Sequence, residues 1–222
     1  MNTPSPKAVV GRFDFRNGDE GWIAGFCDYP ANPDADYQLD SGIRPLPKDL
    51  GTGATGFMLR GMNRSDDLFM FLKRSLGAAD GILPAAAYKV SVTIAFASNA
   101  PRGAMGTGGA PGESVRFKVG ASAIEPLVVA PAGGGNLTLN IDKGEQMNDG
   151  RDVTLDGDIV NGRSSEDPLL YVALTRIGAH RKPVKSGADG TLWVLLGTES
   201  GFEGLTELYY QQIEVTLEPA IS

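Results

Sequence analysis

Apolar and polar residues alternate strictly along several segments of the chain. In residues 87–97 the apolar set is Tyr88, Val90, Val92, Ile94 and Phe96, and the polar set is Lys89, Ser91 and Thr93. A period of two predicts a β-strand with one buried face and one solvated face. Residues 114–119 and 137–141 repeat the alternation and predict two further strands.

Other segments are apolar almost without interruption, which predicts strands buried on both faces. These runs are residues 68–72, 169–174 and 191–196. Shorter apolar segments that also predict strands are residues 9–15, 57–61 and 127–130. The final segment, residues 208–217, loses its alternation near Gln211 and Gln212, where a β-bulge is expected.

About ten strands are therefore predicted, separated by clusters of Gly, Asn, Asp and Pro, and helical signal is scarce. This pattern is typical of an all-β fold with one antiparallel β-sandwich, and we expect a jelly roll. The expected domain covers residues 8–218 and follows a flexible N-terminal tail of residues 1–7.

Composition narrows the functional classes. The chain of 222 residues has 20 basic and 27 acidic residues, a formal charge of −7, which disfavours binding to nucleic acid. A single cysteine, Cys27, excludes an internal disulfide framework, and a single histidine argues against a multi-histidine metal site. This histidine, His180, lies in a basic stretch and is expected at the surface, with a pKa lowered by neighbouring cations.

Two motifs resemble catalytic signatures and fail in detail. The glycine-rich residues 103–114 have no lysine where a Walker loop needs one, and a strand rather than a helix follows. Residues 197–201 read G-T-E-S-G, so the serine is displaced from its position in a nucleophile elbow. Both segments are therefore expected to be connecting loops or strand ends.

Targeting signals leave two interpretations open. No apolar stretch reaches the about 20 residues that a membrane-spanning helix needs, and the start lacks the apolar region of a signal peptide. The chain is either a mature exported domain, at the periplasm or cell surface, or a cytoplasmic protein.

Aromatic and acidic residues occur together in two segments, as expected for a polysaccharide or another polar ligand. A ring packs on the apolar face of a sugar while carboxylates accept hydrogen bonds from its hydroxyl groups. The predicted ligand-binding residues are Trp22, Asp28, Tyr29, Tyr37, Glu199, Phe202 and Glu203. For Trp22 the alternative is a position in the core.

Acidic turns suggest a structural calcium ion, because Ca²⁺ binds six to eight oxygen ligands from loops. The predicted metal ligands are Asp14, the Gly18–Asp19 turn, Asn63, Asp66 and Asp67. Residues 142–158 form a third acidic region. The alternative is that these residues form solvated Asp and Asn turns.

Several motifs together resemble a known family. The closing pattern of Tyr210, Ile213 and Val215 resembles galactose-binding-like jelly rolls, in which the first and last strands pair. The motifs GWIAGFCDYP, SDDLFMFLKR, GGAPGESVRFKVGAS, NIDKG and GTESGFEGLTELYY resemble uncharacterised bacterial exported proteins or lipoproteins. This resemblance implies a non-enzymatic β-sandwich of the cell envelope and assigns no binding residue.

Three hypotheses follow. The first is a non-catalytic carbohydrate-binding module with a structural calcium ion. The second is an envelope protein whose sandwich face binds a protein partner. The third is a glycan-cleaving enzyme that uses two carboxylates, such as Glu199 and Glu203.

Overall fold

The computed structural model describes residues 7–65 and 67–220, which form fourteen strands and three short 3₁₀ turns. The first seven strands are β1 (Val9–Asp14), β2 (Ile23–Cys27), β3 (Asp40–Pro45), β4 (Thr55–Met62), β5 (Leu68–Leu76), β6 (Ala87–Ser98) and β7 (Val115–Ser122). The others are β8 (Val128–Val129), β9 (Thr138–Leu139), β10 (Val153–Asp158), β11 (Val172–Ala179), β12 (Val184–Lys185), β13 (Leu192–Ser200) and β14 (Leu205–Pro219). The predicted tail, residues 1–7, lies outside the described residues except for Lys7.

The strands form two large antiparallel sheets, so the predicted antiparallel β-sandwich is confirmed. Sheet A has the order β11-β6-β14-β4-β3, with β1 also paired to β14 and β12 to β6. Sheet B has the order β10-β7-β13-β5-β2, and β8 and β9 form a small separate hairpin. The first strand pairs with the last, as the resemblance to galactose-binding-like jelly rolls implies.

The main core lies between the two sheets and follows the period of the strands. On β6 the alternation predicted from the sequence is confirmed, because the five residues of its predicted apolar face are all buried in this core: Tyr88, Val90, Val92, Ile94 and Phe96. Phe117 of β7 lies at the centre, with its ring centroid 4.9 Å from that of Phe96 and 6.5 Å from that of Tyr210. These three rings join the two sheets by edge-to-face contacts.

The predicted bulge is confirmed, since the pairing of β14 with β6 shifts between Tyr210 and Gln212. The run at residues 169–174 was expected to be a strand buried on both faces, and this is wrong. Its strand, β11, begins only at Val172 and lies at the edge of sheet A, and the preceding Leu169 is 67% exposed. An edge strand needs only one apolar face, so a continuous apolar run overstates its burial.

A covering segment, residues 123–152, lies over the outer face of sheet B. It contains β8 and β9 and buries a second apolar cluster of Cys27, Phe69, Phe71 and Leu195 under Leu139 and Ile141. Lys73 on the same face hydrogen-bonds the Pro126 carbonyl oxygen at 2.7 Å. The outer face of sheet B is therefore an interior, whereas that of sheet A is open.

His180 is buried rather than exposed, which corrects the prediction from its basic neighbours. Its Nδ1 lies 2.8 Å from Thr154 Oγ1, and burial lowers the pKa of the imidazole. Over the described ranges, no helix has the length and hydropathy to cross a bilayer.

Truncation of Phe117 tests the central contact between the sheets. We expect Phe117→Ala to lower the free energy of unfolding by about 3–5 kcal/mol, because it removes a fully buried ring and leaves a cavity. Urea unfolding measures the change. The control Val10→Ala, at a position 52% exposed, should change stability by less than about 0.5 kcal/mol. An equal effect of both variants would contradict the described core.

Candidate functional site

Five charged residues meet beneath the covering segment and form what we call the charge cluster: Asp28, Asp67, Lys118, Lys143 and Glu199. Lys118 contacts one carboxylate oxygen of Glu199, and Lys143 contacts the other. Lys143 Nζ also lies 2.8 Å from Asp28 Oδ2, and an oxygen of Asp67 lies within 4.8 Å of the carboxylates of Asp28 and Glu199. The side chains of Lys118 and Glu199 are 0% and 1% exposed. The cluster is thus an ion network whose central pair, Lys118 and Glu199, is removed from solvent.

Sheet B supplies most of the cluster from its outer face. Glu199 lies on β13 and Lys118 on the neighbouring β7, where Lys118 is paired in register with Gly197. Asp28 follows β2 in a left-handed conformation, with φ of 65°, that few non-glycine residues adopt. Its amide hydrogen-bonds the Leu137 carbonyl oxygen at 2.7 Å, which joins this turn to the covering segment.

Lys143 comes from a tight loop in the covering segment. Asp142 accepts hydrogen bonds from the amides of Gly144 and Arg151, at 3.1 and 3.0 Å. Gly144 has a φ of +70°, and a Cβ there would lie 2.4 Å from the Asn148 carbonyl oxygen, so the turn requires glycine. The loop directs Lys143 inward, where its ammonium lies 5.3 Å from the Phe69 ring centroid.

Burial and pairing shift the pKa values within the cluster. Burial raises the pKa of Asp67 to about 8, and the hydrogen bond and charge of Glu199 add to the shift. Burial alone would lower the pKa of Lys143, but the carboxylates of Glu199 and Asp28 hold it above its ordinary value. Burial also lowers the pKa of Lys118 and raises that of Asp28. At neutral pH, Asp67 is therefore the protonated acid of the cluster.

The three acids of the cluster are close enough for one metal ion, because one oxygen of each lies within 4.8 Å of the others. The ammonium group of Lys143 already contacts two of these carboxylates, and Lys118 contacts Glu199 as well. A calcium ion would have to displace Lys143 and face a second buried ammonium. The residues therefore do not fit Ca²⁺, and Lys143 supplies the positive charge itself.

The other predicted calcium ligands do not converge with these. Asp14, at the end of β1, pairs with Arg16 and accepts a hydrogen bond from Gln212 at 2.9 Å. Asp19, after Gly18, accepts one from the amide of Gly21. Asn63 donates to the carbonyl oxygen of Ser200, and Asp66 lies outside the described residues. Asp14 and Asp19 thus form contacts with their own turns and with neighbouring surface residues. Asn63 joins the end of β4 to the end of β13.

The sequence motifs that resemble exported proteins converge on the charge cluster. GWIAGFCDYP supplies Asp28, SDDLFMFLKR supplies Asp67 and NIDKG supplies Lys143. The motif ending in RFKVGAS supplies Lys118, and GTESGFEG supplies Glu199. Sequence reasoning identified the acids as candidates and missed both lysines. The only sequence signal for them was that Lys118 and Lys143 each lie within one of the quoted motifs, RFKVGAS and NIDKG.

Only part of the predicted ligand site assembles. Trp22 is a core residue, 2% exposed, with its ring centroid 5.6 Å from that of Phe13, so it cannot stack on a ligand. Tyr37 is also buried and packs against the half-buried Tyr29 at 5.3 Å. Asp28 borders a polar cleft of about 380 Å³ beside the covering segment.

The predicted group around Phe202 does not assemble as a site. Phe202 lines a separate cleft with Leu205, Glu203 is exposed, and Glu199 is enclosed in the charge cluster. The two glutamates therefore do not face one open cleft, as a carboxylate pair that cleaves a glycan would require.

A second candidate site, which we call the trough, crosses the outer face of sheet A. It is a cleft of about 460 Å³ joined to another of about 320 Å³ by shared lining residues. The shared residues are Asp14, Ala95 and Gln212. The floor is formed by short side chains, Thr93 and Ala95 of β6 and Thr175 of β11, and the rim by Arg12 and Glu214.

Two tyrosines lie on the same face of sheet A, farther along β14. The rings of Tyr171 and Tyr209 pack edge to face at 5.5 Å, and both hydroxyl groups donate to Glu207 Oε1. Arg60 donates to the other oxygen of Glu207 at 2.8 Å. Burial and the bond to Glu207 raise the pKa of Tyr209 to about 12, so its hydroxyl group is neutral at physiological pH.

No protein-family model and no curated protein matches the chain. Solved structures of similar architecture include the CBM22-1 xylan-binding domain of Xyn10C from Paenibacillus barcinonensis, at 12% identity and a TM-score of 0.43. That alignment covers 98% of this chain and 100% of the other.

Another is the K1 cleaved adhesin domain of Lys-gingipain from Porphyromonas gingivalis, at 12% identity and a TM-score of 0.43, covering 96% and 99% of the two chains. A third is the C-terminal family 22 carbohydrate binding module of Xyn10B from Clostridium thermocellum, at 14% identity and a TM-score of 0.39. It covers 98% of each chain. The resemblance to exported bacterial proteins stays a prediction.

Calcium addition tests the assignment of Lys143 as the internal cation. We expect the wild-type chain to have the same melting temperature in a chelator and in millimolar Ca²⁺, because Lys143 already occupies the position of the ion. A bound ion would raise the melting temperature, since it would stabilise the folded state by linkage. Differential scanning calorimetry measures it. A rise with Ca²⁺ that Asp28→Asn removes would show that the acids bind calcium.

Asp67 should give stability a measurable pH dependence. Its pKa of about 8 in the fold exceeds the about 4 of an unfolded chain, so protonation stabilises the fold at low pH. This contribution is lost as the pH rises from about 4 to about 8. We expect Asp67→Asn to remove it from the pH dependence of urea unfolding. The exposed Asp34→Asn should leave the wild-type profile unchanged, and identical profiles for all three proteins would contradict the assignment.

Proposed function

We propose that the chain is a non-catalytic carbohydrate-binding module that holds a neutral glycan chain in the trough of sheet A. The observation on which the proposal rests is the trough itself, an open cleft with a floor of short side chains between polar rims. Its volume falls within the about 300–1,000 Å³ of typical ligand sites.

The floor and the rim match the two kinds of surface that a sugar presents. The short side chains of Thr93, Ala95 and Thr175 lie where the apolar C–H face of a sugar would rest. The amide of Gln212 and the carboxylate of Glu214 lie at the rim, where they can bond hydroxyl groups. The half-buried Tyr209, beside Ala97 in the register of β14 and β6, extends this face with an aromatic ring.

The charge distribution favours a neutral glycan over an acidic one. Arg12 pairs with Glu214 at 2.6 Å, and Arg16 pairs with Asp14. Arg60 pairs with Glu207 at 2.8 Å beside the tyrosines. These arginines already have carboxylate partners, so a uronate would compete with them rather than find a free cation.

The same pairing supports a binding role rather than catalysis. A glycan-cleaving enzyme needs one protonated and one ionised carboxyl group across an open cleft. In the trough, Arg16 holds the pKa of Asp14 far below its usual range, so Asp14 cannot supply the proton. Asp67, the protonated acid, lies beneath the covering segment. A polysaccharide ligand also suits the exported location that the sequence motifs imply.

Calorimetry with soluble polysaccharides tests the proposal. We expect the wild-type chain to bind at least one neutral polymer, such as xylan, galactan or β-glucan, and polygalacturonate more weakly. Ala95→Arg places a long side chain on the trough floor, and we expect it to lower affinity at least tenfold. Tyr209→Ala should weaken binding as well, because it removes the aromatic ring.

Two matched variants locate the site. Val10→Arg adds the same side chain on the same face of sheet A, outside the trough lining, and should leave affinity unchanged. Asn136→Arg places it in the cleft beside Asp28, the location predicted from the sequence. Loss of binding with Asn136→Arg and not with Ala95→Arg would move the site to that cleft. No heat with any polysaccharide would reject the function.

A further inference from the structure

An amine and a carboxyl group lie in contact, largely buried, inside the charge cluster. Lys143 Nζ is 2.8 Å from Asp28 Oδ2 and also contacts Glu199 Oε1. The three side chains are 8%, 11% and 1% exposed. In every ion pair outside the cluster, among residues 7–65 and 67–220, at least one partner is 32% exposed or more. The enclosure of this pair is therefore unusual for the molecule.

We propose that Lys143 and Asp28 condense into an intramolecular amide that cross-links the covering segment to the end of β2. The bond formed joins Lys143 Nζ to Asp28 Cγ, and the bond broken is a C–O bond of the Asp28 carboxyl group. One water molecule leaves. No oxidant, reductant or other reactant is required, because an ammonium and a carboxylate together contain the atoms of an amide and water.

Glu199 is placed to move the proton that this condensation requires. The ammonium first passes one proton to Asp28, which gives a neutral amine and a neutral carboxyl group. Attack of the amine on Cγ then releases a second proton, and Glu199 Oε1, in contact with Nζ, accepts it. Glu199 returns this proton to the departing hydroxyl of Asp28, which leaves as water. Glu199 ends as a carboxylate, still paired with Lys118.

The need for a separate proton acceptor distinguishes the two buried lysines. Lys143 contacts two carboxylates, so one can react while the other accepts the proton. Among the described residues, Lys118 forms an ion pair with Glu199 alone. Condensation of Lys118 with Glu199 would therefore consume the only carboxylate in contact with its ammonium. Of the two carboxylates that Lys143 contacts, Glu199 is also paired with Lys118, whereas Asp28 is paired with Lys143 alone among the described residues. Asp28 is thus the carboxyl group that can be protonated and attacked, and the geometry selects Lys143 and Asp28.

Two physical effects favour the amide at this place. Contact within the fold replaces a bimolecular encounter, and well-oriented groups reach effective concentrations of about 10⁵–10⁸ M. The amide also removes two buried charges, whose desolvation is costly even when they are paired. The formal charge of the cluster stays balanced, because Lys118 and Glu199 remain as one pair and Asp67 is neutral. Phe69, Leu139 and Ile141 supply apolar surface beside the site.

The intact mass of the purified full chain tests the proposal without any variant. We expect it to fall below the sequence mass by the mass of one water molecule after incubation in the folded state. Protease digestion should then yield a branched peptide that joins Asp28 to Lys143. An unchanged mass would overturn the proposal. So would a water loss that maps to a linear peptide, as in a succinimide, or to Lys118 and Glu199.

Variants identify the groups that react. Lys143→Arg and Asp28→Ala should restore the full sequence mass, because each removes one bonding partner. Glu199→Gln retains both partners and should abolish or slow the water loss, since the amide cannot accept the proton. The control Lys73→Arg alters another ion pair on the same face of sheet B, with Glu125, and should retain the loss. Persistence of the branched peptide in Glu199→Gln at the wild-type rate would reject the role of Glu199.

Discussion

The compensation of buried charge beneath the covering segment is the interaction on which this face of the molecule depends. Two lysines and three acids leave water together, and each would be strongly unfavourable there without its partners. Glu199 contacts both ammonium groups, and Lys143 connects it to Asp28. Removal of either lysine, of Asp28 or of Glu199 leaves an unpaired charge, so the covering segment and sheet B stabilise each other.

The two sheets have opposite outer faces. Sheet B is closed by residues 123–152, and its outer side chains form a second interior with its own apolar and ionic contacts. Sheet A remains open, and short side chains on β6 and β11 leave a depression between polar rims. One face therefore contributes rigidity and the other an accessible surface. A binding module benefits from both, because a rigid support keeps a ligand surface in its bound shape.

The sequence predicted the fold well and the charge cluster only in part. Alternation on β6 defines both a strand and its buried face, because the period of two is a property of the backbone. The same rule predicts that Lys118 lies on the solvated face of its strand. It cannot show that a segment distant in sequence covers that face. Asp28 and Glu199 were candidates because of their type, whereas Lys143 looked like any loop lysine. Tyr171 and Tyr209 became neighbours only through the pairing of β11, β6 and β14.

The position of β14 has a consequence for how the chain reaches this structure. This strand, residues 205–219, lies in the middle of sheet A, between β6 on one side and β4 with β1 on the other. Its partner β1 is about two hundred residues away in sequence. Until β14 is in place, β6 and β4 have unpaired edges, and contacts of such high sequence separation form slowly. We therefore expect sheet A to close late, and the trough, whose lining includes Gln212 and Glu214 of β14, cannot form before this strand is in place.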